Sequence, residues 1–101
     1  LAWTSVSSFG AGFSLFGAGT PVAYRKDPHN VIRLRGALGT SGATNAGTAF
    51  TLPVGYRPTQ TLLFPGFGAS FIEIWTDGTV HPSWGADPGL ITLDGITFST
   101  V

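Results

Sequence analysis

Glycine and proline punctuate this chain so densely that no run free of both exceeds nine residues, the longest being 1–9 and 69–77. An average helix needs about 11–12 residues, and interior glycine or proline weakens one by roughly 1 and 3 kcal/mol. Strands of about 5–6 residues fit between such breaks. The segments themselves are rich in Val, Ile, Thr, Phe, Tyr and Trp, which suit a pleated surface. Runs over 21–26, 30–38, 48–52, 60–64 and 69–76 therefore read as strands, and the predicted architecture is all-β and antiparallel.

Two Asp-Gly pairs predict hairpins, because both central positions of a two-residue type I′ turn need positive φ. Asp77-Gly78 sets Thr76 against Thr79, Trp75 against Val80 and Ile74 against His81. Asp94-Gly95 sets Leu93 against Ile96 and Ile91 against Phe98, with Thr92 and Thr97 on the reverse face. In the strand near residue 33, Ile32 and Leu34 alternate with Arg33 and Arg35, so one face is buried and the arginines leave by the other. The 69–76 strand alternates Ile72 and Ile74 with Phe71, Glu73 and Trp75. Both of its faces are apolar apart from Glu73, so the second meets another subunit, a ligand or a loop folded over it. Residues 39–47, rich in Gly, Ser, Ala, Thr and Asn, are the expected mobile loop.

With 101 residues the chain is one domain, 1–101. Only 10% of its residues are charged, against roughly 25% in an average soluble domain, and so neutral a surface predicts cover by other chains. The five basic residues form no run and the net charge is zero, which argues against nucleic acid as a partner. No segment approaches 18 consecutive apolar residues, so membrane insertion is not expected. The absence of cysteine excludes disulfides. The absence of methionine, the initiator included, predicts a fragment of a longer protein.

In the block Phe50-Thr51-Leu52-Pro53-Val54-Gly55-Tyr56-Arg57-Pro58, two prolines fix φ and cannot donate to a ladder, and Gly55 can take positive φ. Phe50, Leu52 and Tyr56 anchor it to the core, and Arg57 pairs with an acidic neighbour or backbone carbonyls. It reads as a rigid crossover between sheets. This block, with Tyr24-Arg25-Lys26, the 31–36 strand, Asp77-Gly78-Thr79-Val80 and the 93–98 segment, resembles the C-terminal head modules of bacteriophage tail fibres and minor tail proteins. The resemblance implies an antiparallel β-sandwich or barrel head, usually a homotrimer, joined to the rest of the phage tail. It also implies a place at the virion's tail tip or fibre and recognition of a host cell-wall saccharide outside the cell.

Saccharides are held by aromatic faces and by polar groups that bond to hydroxyls. The best local set is Trp75, Asp77, His81, Trp84 and Asp87, on or just after one hairpin. Trp84 and Asp87, flanked by Gly and Pro, are expected in an exposed loop, with Trp84→Ala weakening saccharide binding at nearly unchanged melting temperature. Trp75 and Trp84 could instead fill the core or the subunit interface, and Asp77 could merely form its turn. Arg33 and Arg35 serve a ligand or, by default, pair with Glu73; Trp3 is core or interface anchor. No nucleophile motif, paired general acid and base, metal spacing or cofactor loop is visible, so the predicted role is non-catalytic, without metal or cofactor. The alternatives are a purely structural trimerising module and a monomeric carbohydrate-binding module.

Overall fold

The computed structural model describes residues 2–17, 19–66, 70–85 and 89–101. These contain eleven strands and no helix: β1 (Thr4–Ser5), β2 (Ser14–Leu15), β3 (Ala23–Lys26), β4 (Val31–Arg35), β5 (Ala37–Gly39), β6 (Phe50–Thr51), β7 (Leu62–Pro65), β8 (Ser70–Ile74), β9 (Thr79–Trp84), β10 (Leu90–Thr92) and β11 (Thr97–Ser99). They form three antiparallel sheets, of order β1-β3-β4-β11, β10-β5-β2 and β6-β9-β8-β7. The fold is all-β, as the glycine and proline spacing requires. One core joins the inward faces of all three: Ile32 and Leu34 of β4, Leu38 of β5, Ile91 of β10, and Phe50, Ile72, Ile74 and Val80 of the third sheet.

The predicted 30–38 strand is two strands. The chain passes from the first sheet to the second at Gly36, whose φ is 106°. A Cβ there would collide with the Pro21 carbonyl, so the corner requires glycine. The partner strand turns the same corner. Leu90, Ile91 and Thr92 face Gly39, Leu38 and Ala37, while Thr97, Phe98 and Ser99 face Arg33, Ile32 and Val31. Between these ladders one side carries residues 93–96 and the other only 34–36, which is the one-residue excess of a β-bulge.

Asp94-Gly95 therefore does not reverse the chain, and the expected pairing of Ile91 with Phe98 is replaced by Ile91 with Leu38 and Phe98 with Ile32. The carboxylate of Asp94 accepts the Gly36 N–H at 2.9 Å, and Leu93 N–H donates to Gly36 O at 2.8 Å. Bulges of this kind let strands change sheets at the corners of a sandwich.

Asp77-Gly78 does close a hairpin, with the register displaced by one residue. Ile74 faces Val80 and Glu73 faces His81. Gly78 N–H donates to Trp75 O at 2.9 Å, and Trp75 N–H donates to Thr79 O at 3.0 Å. With Gly78 at φ 87°, this is a three-residue loop with one left-handed position, not a two-residue turn. A slip of one flips a side chain relative to its partners: His81 shares a face with Glu73, not with Ile74.

The third sheet is a Greek key, since β7, β8 and β9 run on as hairpins and β6 lies beside β9. The 50–58 block joins its two edge strands, β6 and β7, and does not cross from one sheet to another. Its anchors are as expected. Leu52 and Phe50 are buried, Gly55 has φ 93°, and Arg57 Nε donates to Leu52 O at 2.9 Å. Tyr56 meets Tyr24 edge-on at 5.3 Å, and Lys26 Nζ donates to Gly55 O at 2.8 Å, tying the crossover to β3.

Candidate functional site

The third sheet turns Ile72, Ile74 and Val80 inward, and its outer face carries Leu63, Phe71, Glu73 and His81 in cross-strand register, with Trp75 just beyond β8. Phe71 and Trp75 remain 50% and 41% exposed and Leu63 62%. No described loop folds over this face, so its apolar groups stand open to a partner or ligand.

At the hairpin end these residues form a connected cluster. The Trp75 indole stacks on the His81 imidazole with ring centroids 3.8 Å apart and planes 28° from parallel, which leaves His81 only 7% exposed. Trp75 Nε1–H donates to Glu73 Oε1 at 2.7 Å. His81 Nε2 lies 2.7 Å from Thr79 Oγ1, and the Thr79 hydroxyl donates to Asp77 Oδ1 at 2.6 Å. On the far side, His81 Nδ1 is 3.2 Å from Ala46 O. Asp77 also accepts the Thr79 N–H at 3.1 Å. The Thr79 hydroxyl and N–H hold the Asp77 carboxyl below its ordinary value, with a smaller contribution from the charge of nearby His81.

The indole is thus fixed on one face by a ring and at its nitrogen by a carboxylate. Its other face, and the oxygens Glu73 Oε2 and Asp77 Oδ2, which take no hydrogen bond from a described residue, stay available. A rigid aromatic plane beside two carboxylate acceptors can stack on the C–H face of a sugar ring and accept from its hydroxyls. Because the groups are already ordered, little entropy is lost on binding.

Of the five residues predicted from sequence, Trp75, Asp77 and His81 come together here. Trp84 does not. It is the last residue of β9, not part of an exposed loop, and its ring packs edge-on against Phe13 at 6.3 Å beside the core. Its backbone is clamped by Asn45, whose Nδ2–H donates to Trp84 O at 2.6 Å and whose Oδ1 accepts the Trp84 N–H at 2.9 Å. Asp87 lies outside the described residues. The expected mobile loop, 39–47, is tied to β9 through Asn45 and by Ala46 N–H donating to Pro82 O at 2.9 Å. Glu73 and Thr79 were missed as members of the cluster; the correct register was the signal that finds both.

Arg33 and Arg35 do not pair with Glu73, which lies on a different sheet. Arg33 Nη2 is 3.8 Å from Asp27 Oδ2, and Arg35 lies over the Trp3 ring at 4.2 Å. Trp3 is not in the core: it sits half-buried on the outer face of the first sheet, against Arg25 and Arg35.

No family model and no curated protein matches the chain. Among solved structures, its fold is similar to the crystal structure of the receptor binding protein (gp15) of Listeria phage PSA, with a TM-score of 0.74 at 19% identity. The likeness covers 99% of this chain and 66% of that one, just under two thirds of its length. At this identity the shared property is the fold.

Proposed function

We propose that this chain is a non-catalytic receptor-binding module of a bacteriophage tail tip or fibre, which attaches the virion to a saccharide on the host surface. The observation that carries this reading is the preorganised Trp75 ring, stacked on His81 and held at its nitrogen by Glu73, in a cluster that continues through Thr79 to Asp77. The fold it shares with a phage receptor binding protein supports the setting. A shallow platform of this kind suits one unit of a long polymer held side-on. Weak binding per site suffices where several copies act together, because a tethered second site sees a high effective concentration.

The same reading makes the module a homotrimer, with the open apolar groups Leu63, Pro65 and Phe71 covered by neighbouring copies. These groups also favour a second reading, a structural trimerising module that binds no glycan. Host cell-wall pull-down and glycan arrays with wild type and Trp75→Ala decide between them. The expected result is wild-type binding and a loss of tenfold or more in the variant, with the melting temperature unchanged within a few degrees, because Trp75 contributes nothing to the core. A wild type that binds no wall material leaves the structural reading. A variant that binds as well as wild type removes Trp75 from the site.

A further inference from the structure

Antiparallel register places Arg25 directly across from Arg33, and the two-residue period of β4 puts Arg35 on the same outer face of the first sheet. Like charges directly opposite one another are destabilising. Three of the chain's five basic residues nevertheless share this face, while Glu73 lies on the outer face of the third sheet and Asp77 in its hairpin loop.

Among the described residues neutralisation is thin. The Asp27 carboxylate is 3.8 Å from Arg33, and its other oxygen is taken by the N–H groups of His29 at 2.8 Å and Val31 at 3.1 Å. Among the described residues no acceptor receives a hydrogen bond from Arg25, Arg33 or Arg35, and Arg25 Nε is buried without a partner. A buried donor left unsatisfied is destabilising. Trp3 offsets part of the repulsion, lying 5.1 Å from the Arg25 guanidinium carbon and 4.2 Å from that of Arg35. Trp3 supplies no oxygen acceptor for the guanidinium N–H groups, and the Arg33 and Arg35 side chains stay exposed.

The missing partner is an anion. A guanidinium presents donors only, in a planar fork that matches the paired oxygens of a carboxylate or phosphate. Neutral sugar hydroxyls would not cancel three gathered charges. We propose that the outer face of the first sheet binds an anionic substituent, phosphate or carboxylate, of the host-surface glycan through Arg25, Arg33 and Arg35 beside Trp3. The identity of the ligand rests on the saccharide reading above; the anion chemistry rests on the arginines alone. A cleft of about 340 Å³ next to Arg35, lined also by Thr20 and Asp94, gives room for the sugar that carries the charge.

Calorimetric titration with polyphosphate and with polygalacturonate, using dextran as the uncharged control, tests the site. Wild type binds one or both polyanions, more weakly as salt is added, and which one it prefers separates phosphate from carboxylate. Arg33→Gln with Arg35→Gln lowers that affinity at least tenfold. Both side chains are exposed, so folding survives. Lys26→Gln removes an equal charge off this face and lowers affinity less than twofold. Equal losses in the arginine and lysine variants would mean diffuse attraction and overturn the proposal, as would wild type binding neither polyanion. A fall in mass of the arginine variant by light scattering would assign the face to another copy of the chain and overturn it also. Polyanion binding without any wall binding would sink the saccharide reading and leave the anion site standing.

Discussion

Asp77 and Asp94 both precede a glycine, and their carboxylates bend the backbone differently because they reach different donors. Asp77 accepts from Thr79 two residues ahead and closes a local loop, while Asp94 accepts the N–H of Gly36 across the ribbon. Gly36 is buried, so Asp94→Ala should orphan its N–H and cost about 1–3 kcal/mol. Asp94→Asn keeps an acceptor and should cost much less; urea denaturation of the two variants checks the difference. Asp27 is held below its ordinary value, first by the Val31 N–H, and Asp77 first by the Thr79 hydroxyl. With folded values depressed, the folded state binds fewer protons than the unfolded chain at acid pH. The stabilisation is complete above the ordinary carboxylate value of 3.8 and is lost as pH falls through the folded values. Melting temperature should therefore drop below about pH 4, and Asp27→Asn with Asp77→Asn should flatten that drop.

At the scale of elements, β9 shows what local pattern could and could not convey. Alternation made the inward Ile72 and Ile74 and the outward arginines of β4 legible. Pro82 hid the continuation of β9 to Trp84, since proline is normally confined to edge strands. It is tolerated because β6 has already ended, and the neighbour on that side is the 45–46 segment. The Pro82 carbonyl accepts from Ala46 there, and the missing N–H would have pointed the same way. The Asp77-Gly78 register could not be read because one dipeptide serves both two- and three-residue loops. The corner at Gly36 was invisible because it depends on Pro21 and Asp94, both distant in sequence. The placement of Trp84 reverses its expected mutant behaviour. Trp84→Ala should remove packing from Phe13 and cost about 2 kcal/mol or more, roughly 10 °C in a domain of this size, as scanning calorimetry would show.

At the scale of the whole molecule, an open Leu63 and Phe71 beside a core shared by three sheets is the arrangement a covered face would explain. Leu63→Ser with Phe71→Ser should reduce a trimer to monomers by light scattering while leaving the monomer folded, since neither side chain belongs to the core. A wild type that is monomeric at high concentration would remove that interface. The bent ribbon sets a further condition. Residues 31–39 and 90–99 supply strands to two sheets at once through an unbroken backbone on each side. Neither sheet can fray alone without dragging the other with it. Amide protons on both sides of the Gly36 corner should then exchange with solvent in one concerted opening, so that a pull on either end of the ribbon is shared by both sheets.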